Sequence, residues 1–267
     1  MAQRWSLEAD LRSAIAERQL ELYYQPMIEL QRNDVTGFEA LMRWHHPQLG
    51  TISPGDFSPL AEQTGLIVEM GAWALHQACQ EAATWPEHIK VTVNLSSVQF
   101  EQGDLYNDVK GALAFSGLNP DRLELEITES LLLRDEAQTH QLLHKLRSLG
   151  VKFALDDFGT AYASLSYLRS FPFDKIKIDR TFIADLGNPK RKDCIAIIHA
   201  VAGLAKQMQM STVAEGVETL DQLKSVTLAG CEEVQGFYFS KPVPAGEVKA
   251  VAGCRTMLRV DRKRAAS

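Results

Sequence analysis

Eight short runs of strand-forming residues recur along this chain, and stretches with helical periodicity separate most of them. The runs are LELYYQ (20–25), VTGFEALMRW (35–44), IKVTVNLS (89–96), RLELEIT (122–128), VKFALDD (151–157), FDKIKID (173–179), STVAEG (211–216) and EEVQGFYF (232–239). Amphipathic stretches over 66–83, 104–115, 136–148, 192–209 and 219–229 are each long enough to cross back over a parallel sheet. Regular alternation of strand and helix predicts an α/β fold, and eight strands is the number that closes a barrel. The first two runs are joined only by a short polar turn, Glu29 to Asp34, so the first strand is expected to run antiparallel to the second. At the N-terminus, Leu7, Leu11, Ile15 and Leu20 read as one face of an amphipathic helix.

No Gly/Ser-rich or Pro-rich linker breaks the alternation, so residues 1–267 are read as one domain with the barrel at about 7–250. The basic tail RVDRKRAAS is read as a solvated terminus. With 34 acidic against 28 basic side chains, a formal charge of -6 argues against a broad cationic face for duplex nucleic acid. No run approaches the roughly 18 apolar residues of a membrane span, and no signal peptide is apparent. Cys79, Cys194, Cys231 and Cys254 are far apart, without CxxC or ligand-spaced His, and are read as reduced and mostly buried thiols. These features together predict a cytoplasmic protein without membrane contact.

The polar residues fall where such a barrel places its chemistry. Glu39, Asn94, Glu126, Asp156, Asp157, Lys177, Glu215 and Gln235 lie at or near the C-terminal ends of different strand candidates, which share one rim in a parallel barrel. One acid at a strand end is as easily a helix cap or a solvated loop residue, but coincidence across six strands is far less probable. Converging carboxylates without matching bases repel one another, so the arrangement makes physical sense with cations in the middle. Oxygen donors without Cys or His favour hard divalent ions, magnesium or manganese. The doublet Asp156-Asp157 suits a carboxylate bridging two ions. Two metals about 4 Å apart activate a water and stabilise both attacking and leaving oxygens of a phosphodiester displacement. Lys177 could orient that water or neutralise developing charge.

Set in order, YYQP (23–26), FEALMRW (38–44), NLS (94–96), ELEITES (124–130), DDFG (156–159), KIKID (175–179), AEGVET (214–219) and QGFYFSKP (235–242) resemble the successive motifs of the EAL-domain cyclic di-GMP phosphodiesterases. The resemblance implies a modified TIM (β/α)8 barrel that linearises cyclic di-GMP to 5′-pGpG with two magnesium or manganese ions. It implies that Glu39, Asn94, Glu126 and Asp156 hold the first ion, and Asp156 and Asp157 the second. Glu215 matches a metal ligand or water-orienting base, Lys177 a lysine near the attacking water, and Gln235 a glutamine on the second-metal side. Gln25, Leu41 and Arg43 match positions that touch the dinucleotide, and Glu129 one that steadies the loop after DDFG. A homodimer and an upstream sensor or GGDEF domain in a longer parent protein are also implied.

This chain departs from the family in that loop: it reads DDFGTAYASL where the family usually has DDFGTGYSSL, so Ala161 replaces a Gly and Ala163 a Ser. The substitution removes conformational freedom and a hydroxyl, which predicts reduced or loop-controlled activity. Because Asp156, Asp157, Thr160 and Glu129 remain, the second-metal site is expected to be competent. The alternative is a non-catalytic cyclic di-GMP receptor, a class that loses several of these ligands. A barrel acting on another phosphodiester would need a pocket unlike Gln25, Leu41 and Arg43. His140 and His144 are read as a solvent-facing helix pair, and His45 and His46 as loop packing. Trp44, Trp73 and Trp85 are read as packing residues; Phe237 and Tyr238 could flank a base, with packing the preferred role.

Overall fold

The computed structural model describes residues 2–132, 136–159, 168, 171–188 and 193–253. In chain order these form α1 (Ala2–Ala14), β1 (Leu20–Glu29), β2 (Asp34–His46), β3 (Gly50–Ile52), α2 (Pro54–Thr64), α3 (Leu66–Ala82), β4 (Lys90–Asn94), α4 (Ser97–Gln102) and α5 (Leu105–Ser116). There follow β5 (Leu123–Thr128), α6 (Glu129–Leu132), α7 (Glu136–Arg147), β6 (Lys152–Phe158), β7 (Lys175–Ile178), α8 (Arg180–Ala184), α9 (Asp193–Gln207), β8 (Ser211–Ala214), α10 (Leu220–Leu228), β9 (Glu233–Val234), β10 (Val243–Pro244) and α11 (Ala245–Ala252).

Eight of these strands close a barrel. The parallel series β2, β4, β5, β6, β7, β8, β9 is sealed by β1, which pairs antiparallel with both β2 and β9. The expected α/β barrel with a reversed first strand is therefore what the chain forms. Its cause is local: only Leu30 to Asn33 separate β1 from β2, which is a hairpin connection and too short for a crossover. Strands β3 and β10 add short antiparallel pairs to β2 and β1.

Period-two alternation assigns the strand faces. In KVTVN, LELEIT and KIKI the residues Val91, Val93, Leu123, Leu125, Ile176 and Ile178 join the apolar core between barrel wall and helices, with Leu75, Leu113, Leu143 and Ile198. Each such side chain contributes roughly 1.5–3 kcal/mol of burial. The alternate residues, Thr92, Asn94, Glu124, Glu126, Lys175 and Lys177, point inward. Trp44 and Trp85 are buried and Trp73 packs on the core, as expected.

Two expected elements differ. Helix α1 stops at Ala14, where the amides of Glu17, Arg18 and Gln19 turn back onto Ser13, Ile15 and Ala14 carbonyls and Arg18 takes a left-handed φ of 56°. Ile15 thus lies in a turn, while Leu20 starts β1 and joins Leu11, Trp44 and Phe57 in a second, smaller core. The last expected strand, EEVQGFYF, is only two residues long. Gly236 presses so closely on Val217 that a Cβ there would sit 2.1 Å from the Val217 oxygen, and Tyr238 N bonds that same carbonyl, turning the chain. Cys79, Cys194 and Cys231 are buried and take part in no disulfide. Among the described residues no helix is long and apolar enough to cross a membrane.

Candidate active site

The C-terminal ends of the parallel strands surround one buried ammonium. Lys177 Nζ on β7 lies 2.6 Å from Glu215 Oε1, 2.7 Å from Glu126 Oε1, 3.4 Å from Glu39 Oε2 and 3.5 Å from Asp156 Oδ1. A lysine on β7 that meets β2, β5, β6 and the residue after β8 must cross the barrel interior. Glu39 is the most heavily bonded member: Gln235 Nε2 donates to it at 2.7 Å and Asn94 Nδ2 at 2.7 Å. Gln235 also donates to Gln25 Oε1 at 3.1 Å, and Gln25 donates to the Ser240 carbonyl at 3.2 Å. The pairing of Gln25 with Glu39 and of Asn94 with Glu126 in strand register places these residues side by side.

The doublet Asp156-Asp157 needs a device, because neighbouring residues of a regular strand face opposite ways. The ladder between β6 and β7 shifts register between Leu155 and Phe158, and Asp157 takes φ 55°. This bulge keeps both carboxylates at the cavity, and a left-handed non-glycine residue is backbone strain of the kind found at functional sites. Gly216, φ 70°, is required for another reason: a Cβ there would approach Arg180 Cβ to 2.7 Å. Gln25, Glu39, Leu41, Asp156, Asp157, Lys177, Glu215 and Gln235 all line one cavity of 620 Å³.

The titration follows from this crowding. Burial first, then Glu39, Asp156 and Glu215, push the Glu126 carboxyl well above its usual range against the pull of Lys177. Burial, with Asp156 and Glu39, pushes Glu215 up to about 8. Burial, Asp156 and Asp179 raise Asp157. Burial also opposes ionisation of Glu39, but Lys177 and the hydrogen bonds from Gln235 and Asn94 outweigh it and hold that carboxyl below its usual range. Burial disfavours the Lys177 ammonium, yet four carboxylates hold its pKa far above the ordinary value. Glu126 Oε2 has no hydrogen-bond partner and Asp156 Oδ1 has only the Lys177 ammonium at 3.5 Å, although both are buried. One oxygen from each of Asp156, Asp157 and Glu215 lies within 4.8 Å of the others. A buried acceptor left unmatched beside a carboxylate triad fits a hard cation, which takes oxygen donors of this kind.

A family model described as "EAL domain" matches residues 8–242. The chain belongs to the EAL domain family. It is 48% identical over 253 residues to protein y4lL of Sinorhizobium fredii, covering 95% of this chain and 30% of that protein. It is 43% identical over 245 residues to the bifunctional diguanylate cyclase/cyclic di-GMP phosphodiesterase MucR of Pseudomonas aeruginosa, covering 90% of this chain and 36% of MucR. A solved structure titled as the PaMucR phosphodiesterase in complex with c-di-GMP superposes with a TM-score of 0.87 at 42% identity, covering 91% of this chain and 99% of that one. The chain thus spans about a third of the length of the curated relatives it matches.

In this EAL domain four expected site residues lie outside the cavity wall: Asn94 and Glu126, which are bonded to Glu39 and Lys177 behind it, and Arg43 and Glu129. The Arg43 guanidinium sits over the Tyr23 ring at 5.6 Å and donates to the Met42 carbonyl at 2.8 Å, and burial lowers its pKa. Glu129 is buried in the first turn of α6, at the end of β5. Thr160, Ala161 and Ala163, together with Cys254 and the basic tail, lie outside the described residues. Sequence reasoning missed Asp179, Arg180, Glu218 and the Pro54-Gly55 start of α2, which share the cavity. For Asp179 and Arg180 the signal was available, since both directly follow a strand end. Phe237 is 54% exposed on the cavity with Lys241 Nζ 5.6 Å from its ring centroid, whereas Tyr238 packs on the core. His46 accepts amide bonds from Gln48 and Leu49 and meets Asp10, a packing role. His144 is exposed and its ring packs edge-on against Phe171.

Proposed function

We propose that this EAL domain is a metal-dependent phosphodiesterase that hydrolyses cyclic di-GMP to linear 5′-pGpG, with two magnesium or manganese ions. The observation that carries the reading is the excess of buried carboxylates over the single lysine they share at the floor of an open cavity. Glu39, Asn94, Glu126 and Asp156 would hold one ion, and Asp156 and Asp157 the other. Bound there, the ions supply Lewis-acid activation of water and neutralise charge on the phosphate oxygens.

The chain's own residues set the rest. The water oxygen bonds to phosphorus while the bond from phosphorus to the 3′ oxygen breaks, so the phosphate stays on the 5′ carbon of one guanosine and the 3′ oxygen leaves with a proton. Lys177, whose charged form is favoured by its four carboxylate neighbours, orients the water and balances the developing negative charge. Glu215, 2.6 Å from that ammonium, either completes a metal site or orients the water for proton removal. Gln235 and Asn94 hold Glu39 ionised and fixed in rotamer. Gln25 and Leu41 offer polar and apolar contact to the dinucleotide, and Arg43, released from Met42, has a planar fork of donors suited to a phosphate. MucR, named as a cyclic di-GMP phosphodiesterase, and its c-di-GMP complex support the same substrate. An additional sensor or GGDEF domain belongs to this proposal, supported by relatives about three times longer.

The test is incubation of the purified chain with cyclic di-GMP and magnesium or manganese, followed by chromatography. Conversion to pGpG that stops with chelator is expected. Tight binding without turnover would instead make the chain a receptor.

A further inference from the structure

A second charged cluster lies inside the barrel beneath the site. Lys175 Nζ is 3.0 Å from Glu124 Oε1, 3.0 Å from Glu233 Oε2 and 3.9 Å from Met27 Sδ, and Thr92 Oγ1 donates to Glu124 Oε1 at 3.2 Å. Thr92 is fully buried, Glu124 and Lys175 almost so, and the Glu233 side chain is 12% exposed. The contacts join β7 to β5, to β9 and to β1, skipping the strands between, so they too cross the interior.

Each member stands two residues before a member of the site: Thr92 before Asn94, Glu124 before Glu126, Lys175 before Lys177 and Glu233 before Gln235. The period of a strand puts such pairs on the same face, one layer apart, about 7 Å along the chain. The interior of barrels of this kind is ordinarily filled by branched apolar side chains. A buried ion pair is seldom more stable than well-packed apolar residues of similar volume, so stability alone gives no reason for a charged layer here. What charge adds is register. Slippage by two residues returns apolar side chains to the same face and leaves an apolar layer packed, but it separates each of these ion pairs from its partner.

We infer that Lys175, Glu124, Glu233 and Thr92 form a positioning layer that locks β4, β5, β7 and β9 against one another and so sets the spacing of Asn94, Glu126, Lys177 and Gln235 for cation binding. This rests on the two-cation reading of the site. None of the four touches substrate or ions; they act through the next residue but one on each strand. Misplacement of reacting groups by about 1 Å can lower a rate about 100-fold, so small shifts in the layer suffice to register at the rim.

The test compares the wild-type chain with the uncharged triple variant Lys175→Met, Glu124→Gln, Glu233→Gln, and with Glu233→Gln alone. Manganese binding is read by electron paramagnetic resonance, turnover by pGpG formation and fold by thermal melting. The triple variant is expected to melt at or above the wild-type temperature, yet bind manganese at least tenfold more weakly and turn over at least tenfold more slowly, with KM within twofold. Glu233→Gln, which keeps the Lys175 to Glu124 pair, is expected to weaken manganese binding about threefold. Manganese affinity within twofold of wild type in a folded triple variant, or in Glu233→Gln where the triple does not fold, overturns the inference. So does a loss of affinity that merely tracks a lower melting temperature. A wild-type chain that binds manganese without hydrolysis sinks the phosphodiesterase reading while the affinities still decide this one; a wild type that binds no manganese sinks both.

Discussion

Two lysines lie one above the other inside the same barrel, and their surroundings are built to different ends. Lys175 meets two carboxylates at 3.0 Å in a sealed layer where Thr92 also serves Glu124. Lys177 meets four carboxylates within 3.5 Å, in a layer open to a 620 Å³ cavity, and the second oxygen of Glu126, Oε2, remains unmatched. Burial is nearly equal for the two ammonium groups, so burial does not distinguish them. The ratio of negative to positive charge does, together with access from solvent. A layer with one more acid than base can persist dry; a layer with a large excess of acid must take up protons or cations.

The largest effect is expected where the acid excess is converted into cation binding. Glu39→Ala removes the carboxylate on which Asn94, Gln235 and Lys177 converge, and pGpG formation is expected to fall by about 1,000-fold or more, roughly 4 kcal/mol of transition-state stabilisation. Circular dichroism should show an intact barrel. Undiminished turnover would leave the upper layer no different in kind from the lower.

Much of this contrast is written in the strands, though not all was read there. LELEIT and KIKI place two charged residues each at alternate positions among apolar ones, which is a direct sign of a polar interior; a strand-end criterion selects Glu126 and Lys177 and not Glu124 and Lys175. The eight strands, their order and the reversed first strand followed from periodicity and connection length, because both are local. The bulge that aims Asp156 and Asp157 together is set by pairing with β7, and the two-residue length of β9 by the contact of Gly236 with Val217. Both depend on residues distant in the chain. Arg43 is a different case: its place in the motif is legible, while its present partners, Tyr23 and the Met42 carbonyl, are a matter of side-chain packing.

Exchanging each lysine for methionine sharpens the comparison next. Lys175→Met leaves Glu124 and Glu233 buried without a counter-charge and is expected to cost about 3–5 kcal/mol of stability, as breaking a buried ion pair does. Manganese should restore little of it, since the layer is sealed. Lys177→Met strands more carboxylates, but Glu39, Asp156 and Glu215 among them line the cavity, so manganese should recover a much larger share of its melting temperature. Equal recovery in the two variants, measured by thermal melting with chelator and with manganese, would erase the distinction between a cation-seeking and a self-sufficient layer.

A smaller effect lies in pH dependence. Without metal, Glu126 and Glu215 keep protons in the folded chain at pH values where the unfolded chain has released them. The folded state then binds more protons, so stability falls as pH rises from the ordinary carboxyl range toward about 8, where the Glu215 contribution is used up. The depressed pKa of Glu39 works the other way, but only as pH falls below that range. Cations displace the protons, so melting temperatures between about pH 5 and 8 should decline with pH in chelator and much less with manganese. Parallel slopes in the two series would mean that the raised carboxyls are not where the cations go.

The smallest expected change concerns a residue that belongs to neither layer. Arg43 is half-buried at the edge of the site, feels the charge of Glu39 and occupies itself with Tyr23 and the Met42 carbonyl. If the carboxylates do the chemistry and Arg43 only receives a phosphate, Arg43→Ala should raise KM for cyclic di-GMP about tenfold, near 1.4 kcal/mol, and leave kcat within about twofold. That split follows because an interaction made equally with substrate and transition state lowers KM without raising kcat. A fall in kcat with KM unchanged would place the guanidinium on the transition state itself, and the charge balance of the upper layer would then have to include a second permanent cation beside Lys177.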